Sequence, residues 1–100
     1  MTVQMFVLYR TPEDPAAFET RYVEGHLPLV RGYSNVKDIS FAKVTRKLIG
    51  DFGYDYVFTG TWADKDGWKA DLGSDAAKAA EQDAKSFAPA FDVVVLETLA

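Results

Sequence analysis

His26 is the only histidine among 100 residues, and no cysteine accompanies it. An imidazole, with an ordinary pKa near ~6.5, takes up and releases protons at neutral pH. That property suits enolisation, isomerisation or decarboxylation, each of which turns on moving one proton. Two tyrosines are placed to assist. Tyr22 lies one helical turn before His26, and Tyr9 ends an apolar run just ahead of the same helix. A phenol hydroxyl can orient a carbonyl or a second phenol. Phe18 and Phe58 add flat apolar surface, so these residues could wall a pocket for a small, flat, apolar molecule. A structural role competes with each of these readings. His26 could be a core histidine bonded to a backbone carbonyl freed by Pro28, and the stripe Tyr54, Tyr56, Phe58 and Trp62 could fill a pleated sheet and its contacts.

Other chemistry finds little support. Without cysteine there is no disulfide, no thiolate nucleophile and no Cys-ligated metal. The carboxylates form no catalytic pair: Asp64, Asp66 and Asp71 read as helix caps and solvated helix positions. Asp38, inside a strand, could orient His26 or face water at a sheet edge. There is no phosphate-cradling glycine loop, no dinucleotide fingerprint and no Ser–His–acid order. Neither metal nor cofactor is therefore expected, although a lone histidine could ligate haem. Eleven basic residues against 15 acidic ones give a net charge of -4, with the bases scattered apart from the Lys43–Lys47 stretch. Nucleic acids and anionic membranes need clustered Lys and Arg, so neither is an expected partner.

The chain enters a strand-like run directly after Met1, with no secretory pattern, and its apolar runs are too short to span a bilayer. A cytoplasmic protein is expected. With 48% hydrophobic and 26% charged residues, residues 1–100 should fold as one domain around one core.

The elements that must position these residues follow from local pattern. Val3 to Tyr9 (VQMFVLY) is rich in β-formers and apolar on both faces, which predicts a central strand. Asp14 and Pro15 suit the cap and first position of a helix carrying Phe18, Tyr22, Gly25, His26 and Leu29 on one arc. Pro28 must distort its end. Arg31 to Asn35 reads as a loop, and Val36 to Leu48 as an edge strand guarded by Lys37, Lys43 and Lys47. Gly50-Asp51-Phe52-Gly53 reverses the chain into an antiparallel strand from Tyr54 to Trp62. Asp64 caps a short helix with Trp68 and Leu72, ended by Gly73. Ser74 caps an alanine-rich helix running to about Phe87, Pro89 stops it, and Asp92 to Leu99 is the last strand. The order β-α-β-β-α-β predicts an α+β, ferredoxin-like sandwich: a four-stranded antiparallel sheet with helices on one face and the first and third strands central. The helices leave the other sheet face bare. A second copy of the sheet is the simplest cover, giving a homodimer closed as an α/β barrel.

The stretch Tyr9-Arg10-Thr11-Pro12-Glu13-Asp14-Pro15-Ala16-Ala17-Phe18, then Tyr22 and Gly25-His26-Leu27-Pro28-Leu29, resembles the EthD family. This family belongs to the dimeric α/β-barrel superfamily and takes its name from a protein of ethyl tert-butyl ether degradation. Trp62-Ala63-Asp64, Trp68, Leu72-Gly73-Ser74 and the alanine helix closing at Phe87-Ala88 resemble the family's second half, so the likeness spans nearly the whole chain. The Arg31–Asn35 loop departs from the Pro-Gly turn typical of that place. Relatives in the superfamily include lactone isomerases, polyketide decarboxylases and dehydratases, and cofactor-free monooxygenases. The resemblance implies a pocket between sheet and helices for a small aromatic or polyketide-like molecule. It implies a cofactor-free proton-transfer enzyme with His26 as proton carrier and Tyr9, Tyr22, Phe18 and Phe58 against the substrate. The alternative is a non-catalytic ligand-binding or accessory protein of a catabolic pathway, and a purely structural dimer is a third reading.

Overall fold

The computed structural model describes residues 1–100. The chain runs β1 (Val3–Tyr9), α1 (Pro15–Arg21), a π-helical turn (Tyr22–His26), α2 (Leu27–Val30), β2 (Val36–Lys43), β3 (Tyr56–Trp62), α3 (Lys65–Leu72), α4 (Asp75–Phe87) and β4 (Phe91–Glu97). The strands form one antiparallel sheet in the order β2-β3-β1-β4, with the helices on one face. The ferredoxin-like order and the central places of β1 and β3 agree with the sequence pattern. No helix is long and apolar enough to cross a membrane.

The helix ends form as their caps dictate. Asp14 accepts from the Ala17 amide at 3.2 Å with Pro15 at the first turn, Asp64 accepts from Gly67 at 2.8 Å, and Ser74 from Ala77 at 3.2 Å. Three strands differ in their bounds from expectation. β2 ends at Lys43 rather than Leu48, and β3 begins at Tyr56 rather than Tyr54. The reason is β1, which stops at Tyr9 opposite Tyr56. Beyond that point the hairpin would be a bare two-stranded ribbon, marginal in water. Only Val44 to Asp55 pairs across it, at 2.8 Å, and the remaining loop turns at Gly50, whose φ of +88° favours glycine. Tyr54 therefore leaves the predicted stripe: the Arg10 guanidinium lies 4.5 Å over its ring and its hydroxyl bonds to Asp92. β4 spans Phe91–Glu97 rather than Asp92–Leu99, because it too is measured against β1.

The register sorts side chains by face. Val3, Met5, Val7 and Tyr9 of β1 line up with Tyr56, Phe58, Gly60 and Trp62 of β3 under the helices, where the core lies. Phe6 and Leu8 of β1, Val57 of β3, and Val94 and Leu96 of β4 occupy the opposite, helix-free face. Asp71 corrects the picture of a solvated helix acid. It is buried, and its carboxylate accepts from the Asn35 amide at 3.1 Å, from Asn35 Nδ2 at 3.0 Å and from Trp62 Nε1 at 2.7 Å. It thereby ties α3, the loop before β2 and the end of β3 together. Asp66 is exposed as expected.

Candidate functional site

The first helix does not run straight to Pro28. Its middle widens, with the Leu27 amide bonding back to the Tyr22 carbonyl five residues earlier. Pro28 has no N–H to offer the Glu24 carbonyl, so an α-helical ladder would break here in any case. The wider turn keeps residues four apart in line: Phe18, Tyr22 and His26 are all buried against the sheet. Tyr22 stacks on Phe41 of β2, with ring centroids 3.8 Å apart and planes 10° apart, and its ring lies 4.7 Å from the His26 imidazole. That packing fixes the histidine ring.

His26 is 5% exposed, and its Nδ1 lies 3.0 Å from Asp83 Oδ2 on α4. A core histidine was expected to bond a backbone carbonyl freed by Pro28; the structure supplies the Asp83 carboxylate instead. Arg21 grips the same carboxylate with both guanidinium nitrogens, Nη1 at 3.2 Å, and lies 4.4 Å over the Phe87 ring. Gly25 makes room for this reach, since a Cβ there would fall 2.2 Å from Arg21 Nη1. The Arg21 bonds, with help from His26, hold the Asp83 carboxyl below its ordinary range. Burial pushes the His26 imidazole down, against the opposing pull of Asp83. At neutral pH the ring is therefore neutral and the carboxylate ionised. Nδ1–H donates to Asp83, and the Nε2 lone pair is left without a partner in the chain. Asp38, the acid considered as an orienter, sits on edge strand β2 facing water, away from His26.

The Tyr9 and Tyr22 hydroxyls bond to each other at 2.8 Å in the core. Burial pushes the Tyr9 phenol up to about 12 and the Tyr22 phenol higher still. Both stay protonated, so one hydroxyl donates to the other and the second keeps a proton for some further acceptor.

These groups meet in a groove of about 300 Å³ between the sheet, the π turn and α4. Its wall is mostly apolar, with Tyr9, Tyr22, His26 and Phe58 all in it. Phe18 is not in this wall. It packs behind it, 5.0 Å from the Tyr56 ring. Two larger hollows, of about 790 and 590 Å³, lie on the outer helix surface. They are open, and they meet the imidazole–carboxylate pair only through Arg21 and Asp83. No three His, Asp or Glu side chains converge as a metal site would require. Sequence reasoning missed Asp83, together with Arg21, Glu81 and Lys85. A signal was present: Asp83 lies three residues after Ala80 and four before Phe87, on the flank of the apolar stripe of α4, where an acid needs a partner.

No protein-family profile and no curated protein matches the chain. Solved structures do. An EthD family protein of Bacillus halodurans is 25% identical, with a TM-score of 0.89 over 99% of this chain and 100% of that one. A DABB family protein with a ferredoxin-like fold from Mesorhizobium loti is 14% identical, at 0.80 over 99% and 98%. A cofactor-independent oxygenase from Streptomyces nogalater is 12% identical, at 0.74 over 99% and 94%. The last two likenesses are of fold; the first also bears out the resemblance carried by the sequence.

Proposed function

The chain is an EthD-like protein, and on that premise we propose that it acts as a cytoplasmic homodimer whose groove takes a small apolar metabolite, aromatic or polyketide-like. His26 then moves a proton on that molecule without a cofactor. The observation that carries this reading is the 3.0 Å contact between His26 Nδ1 and Asp83, with the other ring nitrogen unpartnered and the ring in the groove wall. A neutral imidazole held by a carboxylate is a general base of suitable strength near pH 7. The spare phenol proton of the Tyr9–Tyr22 pair suits a carbonyl oxygen as its electrons shift, and apolar walls keep water from competing. Phe58 offers flat surface to the ring system, and Phe18 acts at one remove, by backing Tyr9 and Tyr22.

The homodimer is supported by the bare sheet face of Phe6, Leu8, Val57, Val94 and Leu96, which is large for an isolated protomer. Solved proteins of similar fold are described as dimeric, among them one from Thermobifida fusca. The test is solvent-deuterium exchange at the acidic C–H of an aryl 1,3-diketone, followed by NMR. The wild type should accelerate exchange and His26→Gln should remove the acceleration. Equal exchange by both proteins would overturn the catalytic reading. Binding of the diketone without any acceleration would favour the non-catalytic alternative.

A further inference from the structure

The groove holds one more polar group, and nothing in the chain uses it. Tyr33 lies in its wall, half-buried, between α2 and β2. The ring packs against the core, 6.4 Å from the Trp62 ring. A phenylalanine would pack there equally well. The hydroxyl is what a packing role leaves over. It bonds to no group of the chain, and it is not sealed in the core as the Trp68 indole nitrogen is. A hydroxyl set in an apolar wall loses water and needs another partner in return.

The backbone holds this residue firmly. The Gly32 amide bonds to the Leu29 carbonyl at 3.1 Å and the Tyr33 amide to that of Val30 at 3.0 Å, so the loop continues from the last turn of α2. Two residues on, the Asn35 amide and side chain are both held by the buried Asp71. Tyr33 is thus pinned on both sides, as a residue that selects a ligand must be.

Its position complements the groups already described. Met5 to Tyr9 on β1 forms part of the groove wall and spans about 13 Å. The Tyr9–Tyr22 pair stands at the Tyr9 end, with the His26 ring 4.7 Å from that of Tyr22. Trp62, beside Tyr33, pairs with Val3, beyond Met5 at the other end. Burial, with the Asp71 and Glu81 carboxylates nearby, pushes the Tyr33 phenol up, so it stays protonated and can donate. The same carboxylates disfavour an anion here, and Lys85, the one lysine or arginine in the wall, is paired with Glu81.

We infer that Tyr33 is a specificity-determining residue whose hydroxyl donates to a second, neutral oxygen of the ligand, a phenol or ketone carried away from the carbon that His26 serves. The inference rests on the groove reading above and narrows it, from any small apolar molecule to one with oxygen at both ends.

The test is calorimetric titration with benzoylacetone, its meta- and para-hydroxyphenyl analogues and its para-carboxyphenyl analogue. The wild type should bind the better hydroxyphenyl compound more tightly than benzoylacetone, by about fivefold or more. Tyr33→Phe should erase that preference and keep the benzoylacetone Kd within about twofold. Because the hydroxyl bonds to nothing in the fold, this variant should melt within about 4 °C of the wild type. A wild type without the preference, a preference that survives in Tyr33→Phe, a carboxyphenyl compound that binds best, or a larger loss of Tm overturns the inference and leaves the groove reading standing. Failure of every compound to bind overturns both. Binding is read without turnover, so equal deuterium exchange by the wild type and His26→Gln would remove the catalytic reading alone, and the role of Tyr33 would stand on the titrations.

Discussion

Asp71 and Asp83 stand on neighbouring helices, the first buried and the second half-buried at the outer helix surface, and they differ in what they hold. Asp71 is saturated by the Asn35 amide, the Asn35 side chain and the Trp62 indole, none of which can titrate at ordinary pH. Asp83 divides its oxygens between Arg21 and the imidazole of His26, whose far nitrogen is unpartnered. The first arrangement can only be intact or broken. The second passes its charge to a ring that can change state, which is why burial of an acid alone does not mark a site.

The largest effect should come from Asp71→Ala. It strands the Trp62 and Asn35 donors in the core at ~1–3 kcal/mol each, about 3 kcal/mol or more together. For a domain of this size that lowers the Tm by roughly 12 °C or more, as followed by circular dichroism. A loss below about 4 °C would erase the distinction between the two acids. Asp83→Asn should behave in the opposite way. Its ion pair with Arg21 is partly open to water, so stability should fall by about 1 kcal/mol or less. Proton exchange into the diketone should nevertheless drop on the order of 100-fold. A variant as active as the wild type would detach Asp83 from the chemistry.

A smaller effect separates the acids by pH. His26 titrates below its ordinary value in the folded state, so the unfolded chain binds its proton first as pH falls. Stability linked to this ring is therefore complete above ~6.5 and declines as pH drops from there toward the folded midpoint. The urea midpoint should fall between pH 7.5 and 5.5 in the wild type and fall less in His26→Gln. An NMR midpoint for His26 above ~6.5 would mean a standing imidazolium–carboxylate pair and no general base. The smallest change in stability should follow Gly25→Ala, within about 1 kcal/mol, because the clash is with the flexible end of Arg21 and alanine favours a helix. Displacing the guanidinium should still raise the His26 midpoint, since Arg21 now helps to depress it. An unmoved midpoint would show that Arg21 does not reach the ring through Asp83.

Much of the frame was legible from sequence for local reasons. β1 matches its predicted bounds because a strand apolar on both faces is hard to read otherwise, and the three helix starts follow from Asp14, Asp64 and Ser74. The overrun of β2 and the early start of β3 have a non-local cause. The composition of Val44 to Asp55 permits a longer hairpin, and only the end of β1 at Tyr9 forbids it. The approach of His26 to Tyr22 was visible in helical spacing. Its partner was not, because Asp83 lies 57 residues away, and its place on the flank of the α4 stripe says that it needs a partner without saying which. Asp71 was misread for the same reason: the groups it satisfies come from elsewhere in the fold.

The π turn also has a meaning in terms of chain length. Val23 and Glu24 are exposed residues inside it, and removing either would let the segment wind as an ordinary α-helix. Such a shortened chain would have a more regular helix. In it His26 would also stand three residues after Tyr22 instead of four, so the imidazole would meet Tyr22 and Asp83 in a different geometry. The irregularity is thus an insertion that the site depends on, and a homologue lacking that one residue could keep this architecture while losing the pairing of imidazole and carboxylate.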